Sequence, residues 1–379
     1  MSSPPDPYLE SAGRDNSEEN PDDYVPGGYH PIEGGERWHD NRYLVIRKLG
    51  WGQFSTVWLA HDKQLDRHVA IKVAKSGKLY TDNAKKEIEF HQRVASANSS
   101  HPGYAHVVSL LDHFTLDGPN GTHICLVVEV LGLSLAGLNA LLGRLPPPMV
   151  RKIGRDLLLG LDYLHRECGI IHTDIKPANV LICIDDIEKL IRCELRDHQT
   201  IEFDRKSSCP LRILPSGAID QTNVKICDLG SAAAAADKTS REIQTRQYRS
   251  PEVVIDAPWD RRVDIWSLGC MIYELLNENY LFHAPVYSSD ENHLNQIIQF
   301  LGPLTPKFVM SGKSIPPRIY DQVKKTQGTA GLNLRTAMTM QGAGEELIRC
   351  LESMLTVDPS DRPEAKEILE DGHNWLAHQ

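Results

Sequence analysis

The sequence predicts an α+β fold of two lobes, a small β-rich one followed by a larger, mainly helical one. Three observations carry that prediction. Short runs of β-branched and apolar residues, Tyr43–Ile46, Thr56–Leu59 and His68–Val73, follow one another between glycine or polar turns and read as consecutive strands. Beyond Leu145-Pro-Pro-Pro148 the period changes: Val150, Ile153, Leu157, Leu161 and Leu164 recur every three or four residues, as on one face of a helix. Asp264–Leu276 is apolar nearly all round, the pattern of a helix buried inside a large lobe.

The remaining elements follow in order. A helix is expected over Asp82–Ala97, then strands at Val107–Leu111 and His123–Val130. The change of character near Gly132–Gly137 sets the boundary, with a first lobe of about 43–132 and a second of about 133–376. Residues 1–25, rich in Pro, Ser, Asn, Asp and Glu, carry too little apolar surface to offset ordering entropy and are expected to form a disordered acidic tail.

Composition excludes several classes. At 41% hydrophobic and 24% charged residues, the 379-residue chain is globular. Its net charge of −10 argues against nucleic-acid binding through bulk positive charge. Residues 1–40 hold ten acids and two arginines, a net of −8, so the rest of the chain carries only −2. Eight cysteines lie scattered without a CxxC pair, which reads as buried thiols in a reducing compartment. No apolar run reaches the roughly eighteen residues a membrane span needs, and the N-terminus lacks the pattern of a signal peptide. A soluble, intracellular protein is expected.

Chemistry begins at Gly50-Trp-Gly52-Gln-Phe-Ser55, between two expected strands. Glycines let backbone approach a polyphosphate and aim amide N–H groups at its oxygens. Because a strand and not a helix follows, the dinucleotide-binding reading fails. About twenty residues on, Val69-Ala-Ile-Lys72 ends an apolar strand in a lysine. In the helix that follows, at about 100° per residue, Ala84, Ile88, His91, Val94 and Ala95 share a face. Glu87 lies at the edge of that face and Glu89 points away, which makes Glu87 the expected partner of Lys72.

The strongest signal is Ile170-Ile-His172-Thr-Asp174-Ile-Lys176-Pro-Ala-Asn179, followed by Lys225-Ile-Cys-Asp228-Leu-Gly230. Tyr248-Arg-Ser-Pro251-Glu252, Asp264-Ile-Trp-Ser-Leu-Gly269 and Asp358-Pro-Ser-Asp-Arg362-Pro come after them. In this order, from about Tyr43 to Trp375, the chain resembles a eukaryotic protein kinase, with the bilobal protein-kinase fold.

The resemblance implies ATP and Mg²⁺. It makes Asp174 the residue that orients the acceptor hydroxyl and takes its proton. Lys176 neutralises the γ-phosphate, and Thr245 is the threonine that bonds both. Asn179 and Asp228 offer oxygen to the metal. Leu49, Gly50, Gly52, Ser55, Val57, Ala70, Lys72 and Glu87 are placed around the nucleotide, with Val128 as gatekeeper and Glu129 and Leu131 at the adenine edge. Lys176, two residues after the aspartate, matches the serine/threonine form of the loop. Glu252 and Arg362 match a buried structural ion pair.

A narrower resemblance rests on Gly27-Gly-Tyr-His-Pro31, Ile46-Arg-Lys-Leu-Gly-Trp-Gly-Gln-Phe-Ser-Thr-Val-Trp58, His172-Thr-Asp174 and Ile243-Gln-Thr-Arg-Gln-Tyr-Arg249. These are similar to the SR-protein kinases, which phosphorylate serines in Arg/Ser repeats of splicing factors. That implies Arg/Ser-rich protein partners, no direct nucleic acid, no membrane, a monomer, and work in cytoplasm and nucleus. It also implies a spacer insert, here Cys183–Thr222, of mixed charge and no clear period, expected to be a partly flexible surface excursion.

Three departures stand out. Ala178 replaces the usual glutamate, Ser250 the usual alanine, and only Asp290 and Glu291 mark the start of the family's acidic docking groove. Thr173 also stands where many kinases carry an arginine that binds a phosphate on the activation segment. The other readings are a general serine/threonine kinase and a catalytically dead scaffold. A scaffold predicts loss of the lysine, the metal aspartate or the catalytic aspartate, and all three are present.

Overall fold

The computed structural model describes residues 18–197, 208, 211, 223–237, 243–283, 289–314, 333–372 and 375–376. The chain divides into two units. The first comprises Met1–Gln92, Val108–Gly132 and Ile184–Leu214, and the second Arg93–Val107, Leu133–Cys183 and Pro215–Gln379.

The first unit is built on an antiparallel six-stranded sheet of order β1-β2-β3-β4-β6-β5. The strands are β1 (Arg37–Trp38), β2 (Tyr43–Gly52), β3 (Ser55–Asp62), β4 (Arg67–Ala74), β5 (Leu110–Gly118) and β6 (Gly121–Val128). Helix α1 spans Lys78–Ser96. Alternation sorts the strand residues by face. Val69, Ile71 and Val73 join Tyr43, Trp58, Phe114 and Val127 in one core cluster. Leu59, Ala70 and Val130 belong to another.

Five expectations about this unit are corrected. The strand expected at Val107–Leu111 runs instead from Leu110 to Gly118. Its register is set by the turn that pairs Gly118 with Gly121 across Pro119-Asn120, so hydrophobic density alone misplaces it. On α1, Ala84, Ile88, His91 and Val94 are buried as expected, but Ala95 is exposed.

The spacer is not simply an aperiodic excursion. Ile187–Asp197 is a helix, with Ile187, Ile191 and Leu195 at four-residue spacing on the cluster of Leu59 and Ala70. Glu188 meets the His68 ring at 2.7 Å and Glu194 meets Arg47 at 2.8 Å. Cys193 faces outward, against the expectation of buried thiols, while residues 198–207, 209–210 and 212–222 of the spacer, Cys209 among them, lie outside the described residues.

The tail, too, is ordered from Glu18. Residues Pro21–Asp23 form a 3₁₀ turn capped by Asn20. Glu18 and Glu19 both pair with Lys48, which is only 1% exposed. The composition argument counted apolar burial; charge compensation of a buried lysine orders this stretch instead. Residues 1–17 lie outside the described residues.

In the second unit, the helix Pro147–Asp162 buries Val150, Ile153, Leu157 and Leu161, and the helix Arg262–Asn277 is buried over most of its length. Two short ladders carry the chemistry-bearing loops: Val180–Ile182 pairs with Val224–Ile226, and Ile170–Ile171 with Ala233–Ala234. No helix among the described residues is long and apolar enough to cross a membrane.

Candidate active site

In the first unit, Gly50, Trp51 and Gly52 pair with Val57, Thr56 and Ser55, so the glycine run is a hairpin with Gln53 and Phe54 at its tip. Nothing lies within 4 Å of where a Cβ would stand on Gly50 or Gly52. Packing within the protein therefore does not demand glycine there, and space is kept open over the loop. Lys72, on β4 opposite Val57, reaches Glu87 of α1 at 2.7 and 2.9 Å. Helical spacing had singled out Glu87, which is buried, while Glu89 is exposed.

Ala70 faces Val128 across β4 and β6. Leu49, Val57, Ala70 and Val128 share one apolar cluster, to which the spacer adds Ile187, Ile191, Leu195 and Leu211. The Glu129 carboxylate accepts from the Ser109 N–H at 2.8 Å, which fixes the strand end that leads to Leu131.

In the second unit, Asp174 is the centre of a closed set of contacts. Its Oδ1 accepts from the Thr245 hydroxyl at 2.7 Å and the Thr245 N–H at 3.1 Å. Its Oδ2 meets Lys176 Nζ at 2.7 Å and Asn179 Nδ2 at 3.0 Å. Lys176 also donates to the Thr245 hydroxyl at 2.9 Å. With the Asn179 amide nitrogen turned toward Asp174, its oxygen is the atom left for a cation.

The Cys227 N–H donates to Asn179 O at 2.8 Å, which sets Asp228 beside Asn179 at the ends of one ladder. Asp228 is exposed and left-handed, at φ 65°. The two side chains offer oxygen alone, the donor type a hard divalent cation takes.

The model of the protein kinase domain matches residues 43–376 of this chain. The chain is 38% identical to the serine/threonine-protein kinase SRPK of Physarum polycephalum, over 96% of this chain and 92% of the other. It is 35% identical to protein kinase dsk1 of Schizosaccharomyces pombe, over 78% and 72% of the two. Against SRSF protein kinase 3 of Homo sapiens it is 31% identical over 79% of each.

The chain belongs to the SR-protein kinase family. It is a protein serine/threonine kinase, and that membership implies use of ATP.

Sequence reasoning passed over one residue on which this kinase's site depends. Asp264, with no exposed surface, accepts from the His172 and Thr173 N–H groups at 2.8 Å each and meets His165 Nε2 at 2.8 Å. It holds the backbone of the loop that leads to Asp174. The available signal was an acid in the first turn of an otherwise apolar buried helix, which is tolerable only if satisfied.

Ser250, in place of the family's usual alanine, donates its hydroxyl to Gln244 Oε1 at 3.0 Å. Thr173, at φ 65°, donates to Ser231 O at 2.7 Å. Asp290 is bonded to Arg246 at 2.9 Å, so that carboxylate is already engaged, while Glu291 is half-buried in the same helical turn. Ala178 is exposed in the turn Pro177–Asn179.

Proposed function

We propose that this kinase transfers the γ-phosphoryl group of ATP to serines in Arg/Ser-rich proteins of the kind handled in splicing. The observation that carries the catalytic part is the set of contacts joining Asp174, Lys176, Asn179 and Thr245. In an aqueous pocket an aspartate would sample several rotamers; here both oxygens are held, so the carboxylate is pre-positioned.

In this reading Asp174 aligns the serine hydroxyl and accepts its proton as that oxygen attacks the γ-phosphorus and ADP departs. Lys176 offsets charge on the transferred group. Lys72, oriented by Glu87, holds the α and β phosphates, and the backbone of Gly50–Ser55 covers them. Leu49, Val57, Ala70 and Val128 enclose the adenine, whose edge meets backbone of Glu129 and Leu131. Asn179 and Asp228 would hold Mg²⁺, which when bound neutralises phosphate charge.

The substrate class is supported by the names of the relatives, one of them a kinase of SRSF proteins. A second reading, a kinase of broader serine/threonine specificity, draws on Ala178 and on the engagement of Asp290 by Arg246. An assay with Mg·ATP and three peptide sets, with serine in Arg-Ser, Ser-Pro and acidic contexts, separates them. Preference for the Arg-Ser set supports the first reading, and comparable rates on all three support the second.

A further inference from the structure

We infer that Tyr29 is a positioning residue for the nucleotide: its hydroxyl donates to the Gly52 carbonyl oxygen at 2.8 Å and so sets the turn of the phosphate loop. The inference rests on the reading that Gly50–Ser55 covers the phosphates of ATP.

The segment bearing Tyr29 is fixed independently of that hydroxyl. Gly27 N donates to Asn120 O at 2.9 Å, Gly77 N to Gly27 O at 2.8 Å, Ser76 N to Gly28 O at 3.1 Å, and Asn120 Nδ2 to Tyr29 O at 2.6 Å. The two glycines are required here. Gly27 sits at φ +87°, and a Cβ on Gly28 would lie 1.9 Å from Asp23 O. Tyr29 is 2% exposed, with Lys75 Nζ 4.2 Å above its ring, and that ammonium is paired to Asp23 at 2.9 Å. The ring is thus clamped on a rigid strap, and its one polar atom is spent on the loop.

The consequence follows from peptide planarity. The Gly52 carbonyl and the Gln53 N–H belong to one planar unit and point in opposite directions. Holding the carbonyl oxygen on the strap side turns the Gln53 N–H to the other side. The following carbonyl but one, Phe54 O, is held in turn by Lys75 N at 2.9 Å. Strap and strand end together fix two carbonyls at the tip of a hairpin whose glycines would otherwise leave it loose. Burial, with Asp23 and Glu19 nearby, pushes the Tyr29 hydroxyl well above its ordinary pKa, so it remains a donor across the working pH range.

Tyr29→Phe keeps the ring, the cation–π contact and the strap, and deletes only the tether. In the nucleotide-free full chain, amide exchange over residues 50–55 should accelerate while residues 21–31 keep their protection. KM for ATP and Kd for ADP should rise about fivefold, the worth of one neutral hydrogen bond, with kcat and the peptide KM within about twofold. Unchanged exchange over 50–55 overturns the tether. Faster exchange with unchanged ATP and ADP affinity overturns the positioning role. A Gly50→Ser, Gly52→Ser variant tells the two failures apart. If it raises the ATP KM where Tyr29→Phe does not, only the role of Tyr29 falls; if neither does, the phosphate-loop reading falls with it.

Discussion

Two glutamate–cation pairs, Lys72–Glu87 in the first unit and Arg362–Glu252 in the second, both close to 2.7 Å, yet their surroundings differ completely. Both partners of the second pair have no exposed side-chain surface. Every donor of Arg362 is used: Nε on Thr356 O, one terminal nitrogen on Glu252 and Arg262 O, the other on Glu252 and Val357 O. The Trp266 ring lies 5.0 Å from the guanidinium. Lys72, by contrast, keeps a fifth of its side chain exposed beside an almost buried Glu87. A cation saturated by buried protein groups belongs to the fold, whereas a cation that keeps exposed side-chain surface can be reached from solvent. Arginine, with five donors in a rigid fork, suits the first task and lysine the second.

The largest effects should come from the open side of that comparison. Lys72→Met and Asp174→Ala are each expected to lower kcat by about three orders of magnitude or more, because each removes charge placed for the transition state. Circular dichroism and melting temperature should stay near wild type. Near-normal turnover of either folded variant sinks the site assignment. A Lys72→Met protein that melts as early as an Arg362 variant erases the contrast between the pairs.

Arg362→Met and Glu252→Gln should do the reverse. Each leaves a buried polar or charged group without its partner, at a cost of about 3–5 kcal/mol in stability. The fraction still folded should turn over at a near-normal rate. Urea titration monitored alongside activity measures both quantities, and a kcat loss without a stability loss would contradict the division.

What the sequence disclosed follows from the same division. The Lys72–Glu87 contact was legible because a helix period picks Glu87 over Glu89, and the contacts of Asp174 with Lys176 and Asn179 because the motif sets all three a few residues apart in one loop. The helix Ile187–Asp197 was missed although Ile187, Leu190, Ile191 and Leu195 recur at helical spacing, because the run is short and crowded with charge. Glu18 and Glu19 were placed in a disordered tail because their partner, Lys48, is far away in sequence and reads as an ordinary strand lysine. Asp264 shows no partner within its own motif, since its three partners all come from one distant segment. Non-local polar pairing leaves no periodic trace.

Lys48 offers a test of intermediate size. Glu18→Gln with Glu19→Gln leaves a buried ammonium short of countercharge and should cost about 2–3 kcal/mol. Adding Lys48→Met should recover most of that loss, since the desolvated charge goes with it. Failure of the methionine to recover stability would show that the acids act through packing of the strap and not through the lysine.

Asp290→Ala with Glu291→Ala should be weaker still. With Asp290 already bonded to Arg246 and more than half exposed, the pair should contribute about two- to threefold to binding of Arg-rich peptides, with a shallower salt dependence in the variant. Unchanged affinity at low ionic strength would remove the pair from substrate recognition and favour the broader kinase. A loss of tenfold or more would mean that Asp290 leaves Arg246 for the substrate.

The smallest effect concerns the activation segment, Asp228–Glu252. The usual phosphate receptor, an arginine before the catalytic aspartate, is replaced by Thr173, whose hydroxyl is bonded to Ser231 O and whose N–H is bonded to Asp264. Order comes instead from Gln244. Its amide nitrogen donates to Val263 O and the Ser267 hydroxyl at 2.9 Å each, and its amide oxygen accepts from the N–H and hydroxyl of Ser250 at 3.0 Å each. Both donors and both acceptor positions are filled. Arg249 then closes on the Gln244 carbonyl at 3.1 Å. A neutral, fully satisfied amide thus ties residues 244–250 to Val263 and Ser267 without a charged group. Thr239, Ser240 and Arg241 of the segment lie outside the described residues. Thr239→Ala with Ser240→Ala should change kcat by less than about twofold, since Thr173 offers a phosphate no charged partner, whereas Gln244→Ala should lower both turnover and stability by orphaning the buried Ser250 N–H and hydroxyl. A phosphatase-treated enzyme, verified by mass spectrometry, should retain its activity. Loss of most activity on dephosphorylation, regained on phosphorylation of the segment, would show that a phosphate and not Gln244 holds it in place.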